Sequence, residues 1–126
     1  MKIEATNKTP YVEYNESNGT LLISGKSIPE NTIKFYQTIV EWLQTFIQEN
    51  ETKKLELIFK LEYFNTSSAK KILEVMKLVQ QLYDKGNKQV SIQWQYEEGD
   101  VDMLEAGEDF MKPLHIPISF TAVEEE

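Results

Sequence analysis

The chain has no cysteine and no arginine, only one histidine, and five glycines and four prolines in 126 residues. Without cysteine there is no thiol nucleophile, no disulfide framework and no thiolate site for zinc or an iron–sulfur cluster. One histidine cannot build a histidine-rich metal site, and without arginine the chain lacks the planar fork that grips phosphates and base edges bidentately. Nucleic acid is therefore not an expected partner. Long apolar runs are missing too. The start, Met1-Lys2-Ile3-Glu4, is not a signal peptide, and the longest uncharged run, Pro113 to Val123, holds two prolines, so no membrane insertion is expected. The reading is a cytoplasmic protein, in which the Asn-x-Ser/Thr sequons at Asn7, Asn15, Asn18, Asn50 and Asn65 carry no sugar.

What charge there is lies unevenly. The 13 lysines and 21 acids give a net charge of −8, but from Glu97 onward ten acids face Lys112 alone, 1 − 10 = −9. The preceding 96 residues are nearly neutral. This length suits one domain, 1–126, with an ordered core over about 10–121 and an acidic tail at 122–126.

Residues 10–14 and 20–25 are β-like runs around the turn formers Asn15 to Gly19, which predicts a hairpin. Ser27-Ile28-Pro29-Glu30 reads as a helix start with Ser27 as cap, and Ile33, Tyr36, Val40, Leu43 and Ile47 mark one apolar face of a helix ending near Asn50. A second stripe, Phe35, Ile39, Trp42 and Phe46, runs beside it and widens the face enough to suggest deep burial or a partner. Residues 55–61 and 89–96 alternate apolar and polar, as strands with one oily face do. Between them, Ile72, Val75, Met76, Val79, Leu82 and Tyr83 mark a second helix stopped near Gly86-Asn87. A short acidic helix, 100–111, and a strand, 116–120, complete the order β-β-α-β-α-β-α-β. This is an α/β fold, a mixed sheet with helices mainly on one face, joined by right-handed crossovers.

The chemistry concentrates at Asn65-Thr66-Ser67-Ser68-Ala69-Lys70-Lys71, where three hydroxyls sit between a strand and a helix. Two readings stand. Asn65 or Thr66 caps the helix and the lysines are solvated, with Lys70 near Glu74; or the free amides and helix dipole favour a phosphate on one of these oxygens, beside Lys70 and Lys71. Glu97, Glu98, Asp100 and Asp102 cluster in the manner of a divalent metal site or acid/base pair, but match no EF-hand, and Asp100 suits a helix cap. His115 lacks a triad context and is a strand-entry residue. None of the glycines forms a phosphate loop. No metal or cofactor is expected, and a carboxylate enzyme is the weaker hypothesis beside a small-ligand or anion binding module.

Gly25-Lys26-Ser27-Ile28-Pro29-Glu30-Asn31 ahead of an aromatic-rich helix, then Leu61-Glu62-Tyr63-Phe64-Asn65-Thr66-Ser67-Ser68 and the strand Ser91 to Tyr96, resemble the SiaC family of bacterial regulatory phosphoproteins. The layout also resembles, more distantly, a STAS domain, the fold of anti-sigma factor antagonists. The resemblance implies a non-enzymatic switch. A serine/threonine kinase phosphorylates the Thr of the motif, here Thr66, and a metal-dependent phosphatase reverses it. The unphosphorylated form binds and activates a diguanylate cyclase, tying the switch to cyclic di-GMP and biofilm behaviour. The wider STAS register would place the phosphate on Ser67 instead. Asn65, Ser67, Ser68, Lys70 and Lys71 would then form the partner-binding turn, with the outer surface of the second helix and the Phe35 stripe beside it.

Overall fold

In the computed structural model, which describes residues 1–124, the hairpin forms from β2 (Tyr11–Asn15) and β3 (Thr20–Ser27), antiparallel from Tyr11 opposite Ser24 to Asn15 opposite Thr20. Gly19 closes it at φ 70°, and a Cβ there would lie 2.7 Å from the Lys54 carbonyl oxygen, so only glycine fits. A two-residue strand, β1 (Lys2–Ile3), pairs antiparallel with β2. It is too short to leave a periodic trace. β4 (Leu55–Phe64), β5 (Val90–Glu97) and β6 (Ile118–Val123) continue the sheet in parallel from β3, giving the order β1-β2-β3-β4-β5-β6.

Three crossover helices, α1 (Thr32–Glu49), α2 (Thr66–Asp84) and α3 (Val101–Met111), join successive parallel strands. Because each crossover advances one strand in the same direction, the common right-handed sense places all three on one face. Burial agrees. Leu55, Leu57, Phe59, Leu61, Val90, Ile92 and Trp94 are buried beneath the helices, whereas Glu56, Ile58, Lys60, Ser91, Gln93 and Gln95 on the other face are not. The mixed, one-sided α/β sheet expected from the alternation is thus the observed fold.

Several boundaries differ. Ser27 is not a helix cap: it ends β3, fully buried, and the cap is Asn31, whose side chain accepts from Lys34 N at 3.0 Å. Residues 28–31 are used to climb from sheet to helix layer, and Ile28 N still donates to Lys8 O at 2.8 Å. Ile33, counted on the buried face, is 66% exposed, because the helix begins only one residue before it. The final strand starts at Ile118, after Pro117, which has no amide to donate, and runs to Val123. Pairing therefore extends from Lys2 to Val123, beyond the expected core, and of the expected acidic tail Glu125 and Glu126 lie outside the described residues. Among the described residues no helix is long and apolar enough to cross a membrane.

Candidate functional site

The turn from β4 into α2 is built by its cap. Asn65 is extended (φ −90°, ψ 174°), and its carboxamide oxygen accepts from Ser68 N at 2.9 Å, stabilising one of the orphan donors of the first turn. Its backbone N–H donates to Ser27 O at 3.0 Å, which ties the turn to the end of β3. Asn65→Ala should cost about 1 kcal/mol in a urea melt, the usual loss of a side-chain cap.

The three hydroxyls that look equivalent in sequence have different fates. Ser68 is completely buried, and its Oγ donates to Ser27 O at 2.9 Å. Ser27 Oγ donates to Ser68 Oγ at 2.9 Å and receives the Tyr36 hydroxyl at 2.6 Å, so a buried chain of hydroxyls joins α1, β3 and α2. Ser67 is exposed, but its Oγ pairs with Thr32 Oγ1 at 2.7 Å, linking the starts of α1 and α2, and lies 3.2 Å from Asn65 Oδ1. Thr66, the first residue of α2, is exposed, and its hydroxyl enters none of the hydrogen bonds among the described residues.

The buried chain is a rigid seat. Ser68→Ala would leave the Ser27 hydroxyl without its acceptor in a dry site, a loss of about 1–2 kcal/mol measurable by denaturant titration. Burial pushes the Tyr36 phenol above the ordinary tyrosine range, against the opposing hydrogen bonds of Ser27 and Ser68. The folded state thus holds this proton more tightly than the unfolded chain. Stability is unaffected below about pH 10, the ordinary tyrosine value, and falls as pH rises past it.

Lys70 is exposed, and the expected contact with Glu74 is made instead by Lys71, whose Nζ lies 2.9 Å from Glu74 Oε2. One helical step further along, Lys71 faces Glu74 at i,i+3. Lys70, Leu73, Lys77, Leu78 and Gln81 line, with Glu74, a shallow groove of about 370 Å³ along α2. Near the turn Tyr63 is 56% exposed. The second stripe of α1 is mostly spent internally: Ile39 and Phe46 are buried, and Trp42 packs on Tyr14 with ring centroids 4.7 Å apart. The hairpin supplies that cover, which the helix sequence alone could not reveal. Phe35 remains half-buried, its ring 5.2 Å from that of Tyr36.

The acids after β5 scatter. Asp100 caps α3 through Met103 N at 3.1 Å, as its position suggested. Asp100 and Glu97 line a cleft of about 530 Å³, whereas Glu98 and Asp102 do not. Among the described residues no three His, Cys, Asp or Glu side chains gather to hold a metal ion. His115 lies in the connection before β6, its Nε2 against Asp84 Oδ1 and its N–H donating to Gln80 Oε1 at 2.7 Å.

Residues 3–123 match the family described as SiaC family regulatory phosphoprotein. The chain is 28% identical to an uncharacterized protein of Pseudomonas aeruginosa strain UCBPP-PA14, over 99% of this chain and 98% of that one. Its fold superposes with a TM-score of 0.90, at 28% identity over 98% of this chain and 99% of the other, on a chain in the crystal structure of the diguanylate cyclase SiaD in complex with its activator SiaC from Pseudomonas aeruginosa. SiaC of the same organism gives 0.87 at 28% identity over 98% of each chain, and its apo form 0.82 at 24% over 97% and 98%.

Proposed function

Since the chain belongs to the SiaC family of regulatory phosphoproteins, we propose that it is a non-enzymatic cytoplasmic signalling protein that binds and activates a diguanylate cyclase while Thr66 is unphosphorylated. A serine/threonine kinase closes the switch at Thr66 and a metal-dependent phosphatase reopens it. Support for the partner comes from the similar chain whose structure is a complex with diguanylate cyclase SiaD.

The observation that carries the choice of Thr66 is the contrast among the three hydroxyls. Ser68 is sealed in the interior and Ser67 is engaged with Thr32, while Thr66 projects outward from the first position of a 19-residue helix. A phosphate there stands at the positive end of the α2 dipole and beside free first-turn amides, so the fold tolerates it. It also places about −1.5 to −2 charges and three acceptor oxygens on a surface that must lose water to dock. The docking face is the Asn65–Lys71 turn, Tyr63 and the groove along α2.

Incubation with the cognate kinase and ATP, followed by intact-mass measurement and peptide mapping, should return one phosphate, on Thr66. Phosphate on Ser67 would move the switch one residue, and an unmodified chain would remove it. A small-ligand module is the second reading, favoured by the 530 Å³ cleft; a ligand-induced melting shift that survives Thr66→Ala would support it.

A further inference from the structure

The two edges of the sheet are finished differently. β1 exposes only two residues, one of them Lys2, and short charged edges discourage further pairing. β6 has neither safeguard. Its six residues, Ile118-Ser119-Phe120-Thr121-Ala122-Val123, carry no charge and no proline, and among the described residues β5 is its one neighbour in the sheet.

The direction of its free groups follows from two hydrogen bonds. Ile92 N donates to Pro117 O at 3.1 Å and Glu98 N to Val123 O at 2.8 Å. In a parallel ladder alternate residues serve the same neighbour, so Pro117, Ser119, Thr121 and Val123 turn their backbone groups toward β5. The N–H and C=O groups of Ile118, Phe120 and Ala122 therefore point outward. The side chains of Ile118 and Phe120 pack against the core, which anchors this edge.

Charge selects the occupant. The segment containing α3, β6 and the tail carries the −9 that makes the whole chain acidic. Beside the end of β6, Val123 borders the 530 Å³ cleft, whose charged lining is Glu62, Glu97, Asp100 and Glu124 against Lys60 alone. A second copy pairing at this edge would bring two such acidic segments together. An extended segment bearing lysine or arginine gains the ladder and the charge complementarity at once.

We propose that the free edge of β6 receives an extended, lysine- or arginine-bearing segment of a partner protein as a seventh strand, with a basic side chain reaching the acidic cleft beside Val123. This surface shares no residue with the proposed switch turn.

The test uses the full chain and a fluorescein-labelled ten-residue peptide alternating valine with lysine, its ends blocked, followed by fluorescence anisotropy. Binding should be saturable and fall about tenfold between 50 and 300 mM salt, as exposed charges are screened. Ala122→Pro deletes one outward N–H without touching the bonds to β5, and should weaken binding about tenfold provided circular dichroism shows the fold intact. On the unaltered protein, N-methylation of four consecutive central peptide residues should abolish binding, which decides the matter even if Ala122→Pro does not fold. No binding, equal binding of a glutamate-for-lysine peptide, or binding indifferent to N-methylation overturns the proposal. A dimer in sedimentation that Ala122→Pro dissolves would also overturn it, by giving the edge to a second copy.

Discussion

Thr66→Glu should weaken binding to the proposed diguanylate cyclase partner about a hundredfold, while Thr66→Ala binds as tightly as the parent. The magnitude follows from desolvation: an unpaired carboxylate pressed into an interface costs about 3 kcal/mol, a factor of about a hundred. The same substitution should leave the fold intact or slightly firmer, because an acid in the first turn of α2 interacts favourably with the helix dipole, by about 0.3–1 kcal/mol. Loss of binding and a raised or unchanged melting temperature would therefore appear together. Titration calorimetry supplies the first quantity and a thermal melt the second. Equal binding by the two variants would sink the switch assignment, and a collapsed melting temperature would mean that Thr66 had a structural role instead. The absence of arginine bears on the direction of the effect. With no guanidinium to clamp a phosphate bidentately, the proposed phosphate on Thr66 would be suited to blocking a contact rather than ordering a loop of its own chain.

Gly107→Ala should destabilise the protein by about 2 kcal/mol, although it removes a glycine from the interior of a helix. Helix propensity alone would make this change stabilising by about 1 kcal/mol. Packing reverses the sign. A Cβ at Gly107 would lie 2.5 Å from Cδ1 and 2.6 Å from Nε1 of Trp94, contacts that require something to move. The indole has no room to retreat. It is 1% exposed, its ring faces Phe59, Phe64 and Phe110 at centroid distances of 5.6, 6.3 and 5.5 Å, and its Nε1–H donates to Met103 O at 2.9 Å. Overpacking of this kind costs about 1–3 kcal/mol beyond any local gain. The complementary truncation, Trp94→Ala, should cost about 4 kcal/mol through lost burial and the cavity left behind. The two sites are coupled, so Gly107→Ala made on a Trp94→Leu background should be nearly neutral or stabilising. Urea denaturation of the parent, Gly107→Ala, Trp94→Leu and the double variant tests the coupling, with Trp94→Ala measured beside them. A Gly107→Ala protein more stable than the parent would show that α3 does not seat on Trp94 as described.

Much of this was legible in the chain. Asp100 could be named as a cap, and the second helix's cap narrowed to Asn65 or Thr66, because capping is decided within three residues; the side chains of Asp100 and Asn65 both accept the third following amide. The alternation at Leu55 to Leu61 and Val90 to Tyr96 announced a sheet covered on one side, since period two assigns faces locally. Ser27 was misread for a related reason. Ser followed by Pro and Glu satisfies the local pattern of a helix start, but the hydroxyl was claimed by Tyr36 and Ser68, partners that a local pattern does not contain. Lys71 rather than Lys70 met Glu74, a one-residue error that a helix surface readily permits. Gly107 left no signal at all, because nothing near it in sequence names the indole above it.

The sequence by itself determined the succession of strands and helices from the hairpin onward, the one-sided sheet, the cap of the third helix and, to within one residue, that of the second, and the acidic final quarter. Each of these depends on period, on neighbours within a turn, or on a count. Tertiary structure decided which of three adjacent hydroxyls stays both exposed and without a hydrogen-bond partner among the described residues, and which edge of the sheet stays open. Ser68 is withdrawn by a serine 41 positions earlier and Ser67 is held by a threonine 35 positions earlier, and Thr66 is left exposed. Among the described residues the edge at β6 is open because three successive crossovers advance the same way and place β6 outermost. Such contacts are settled by how distant segments fill one shared volume, a condition that no short stretch of the chain encodes.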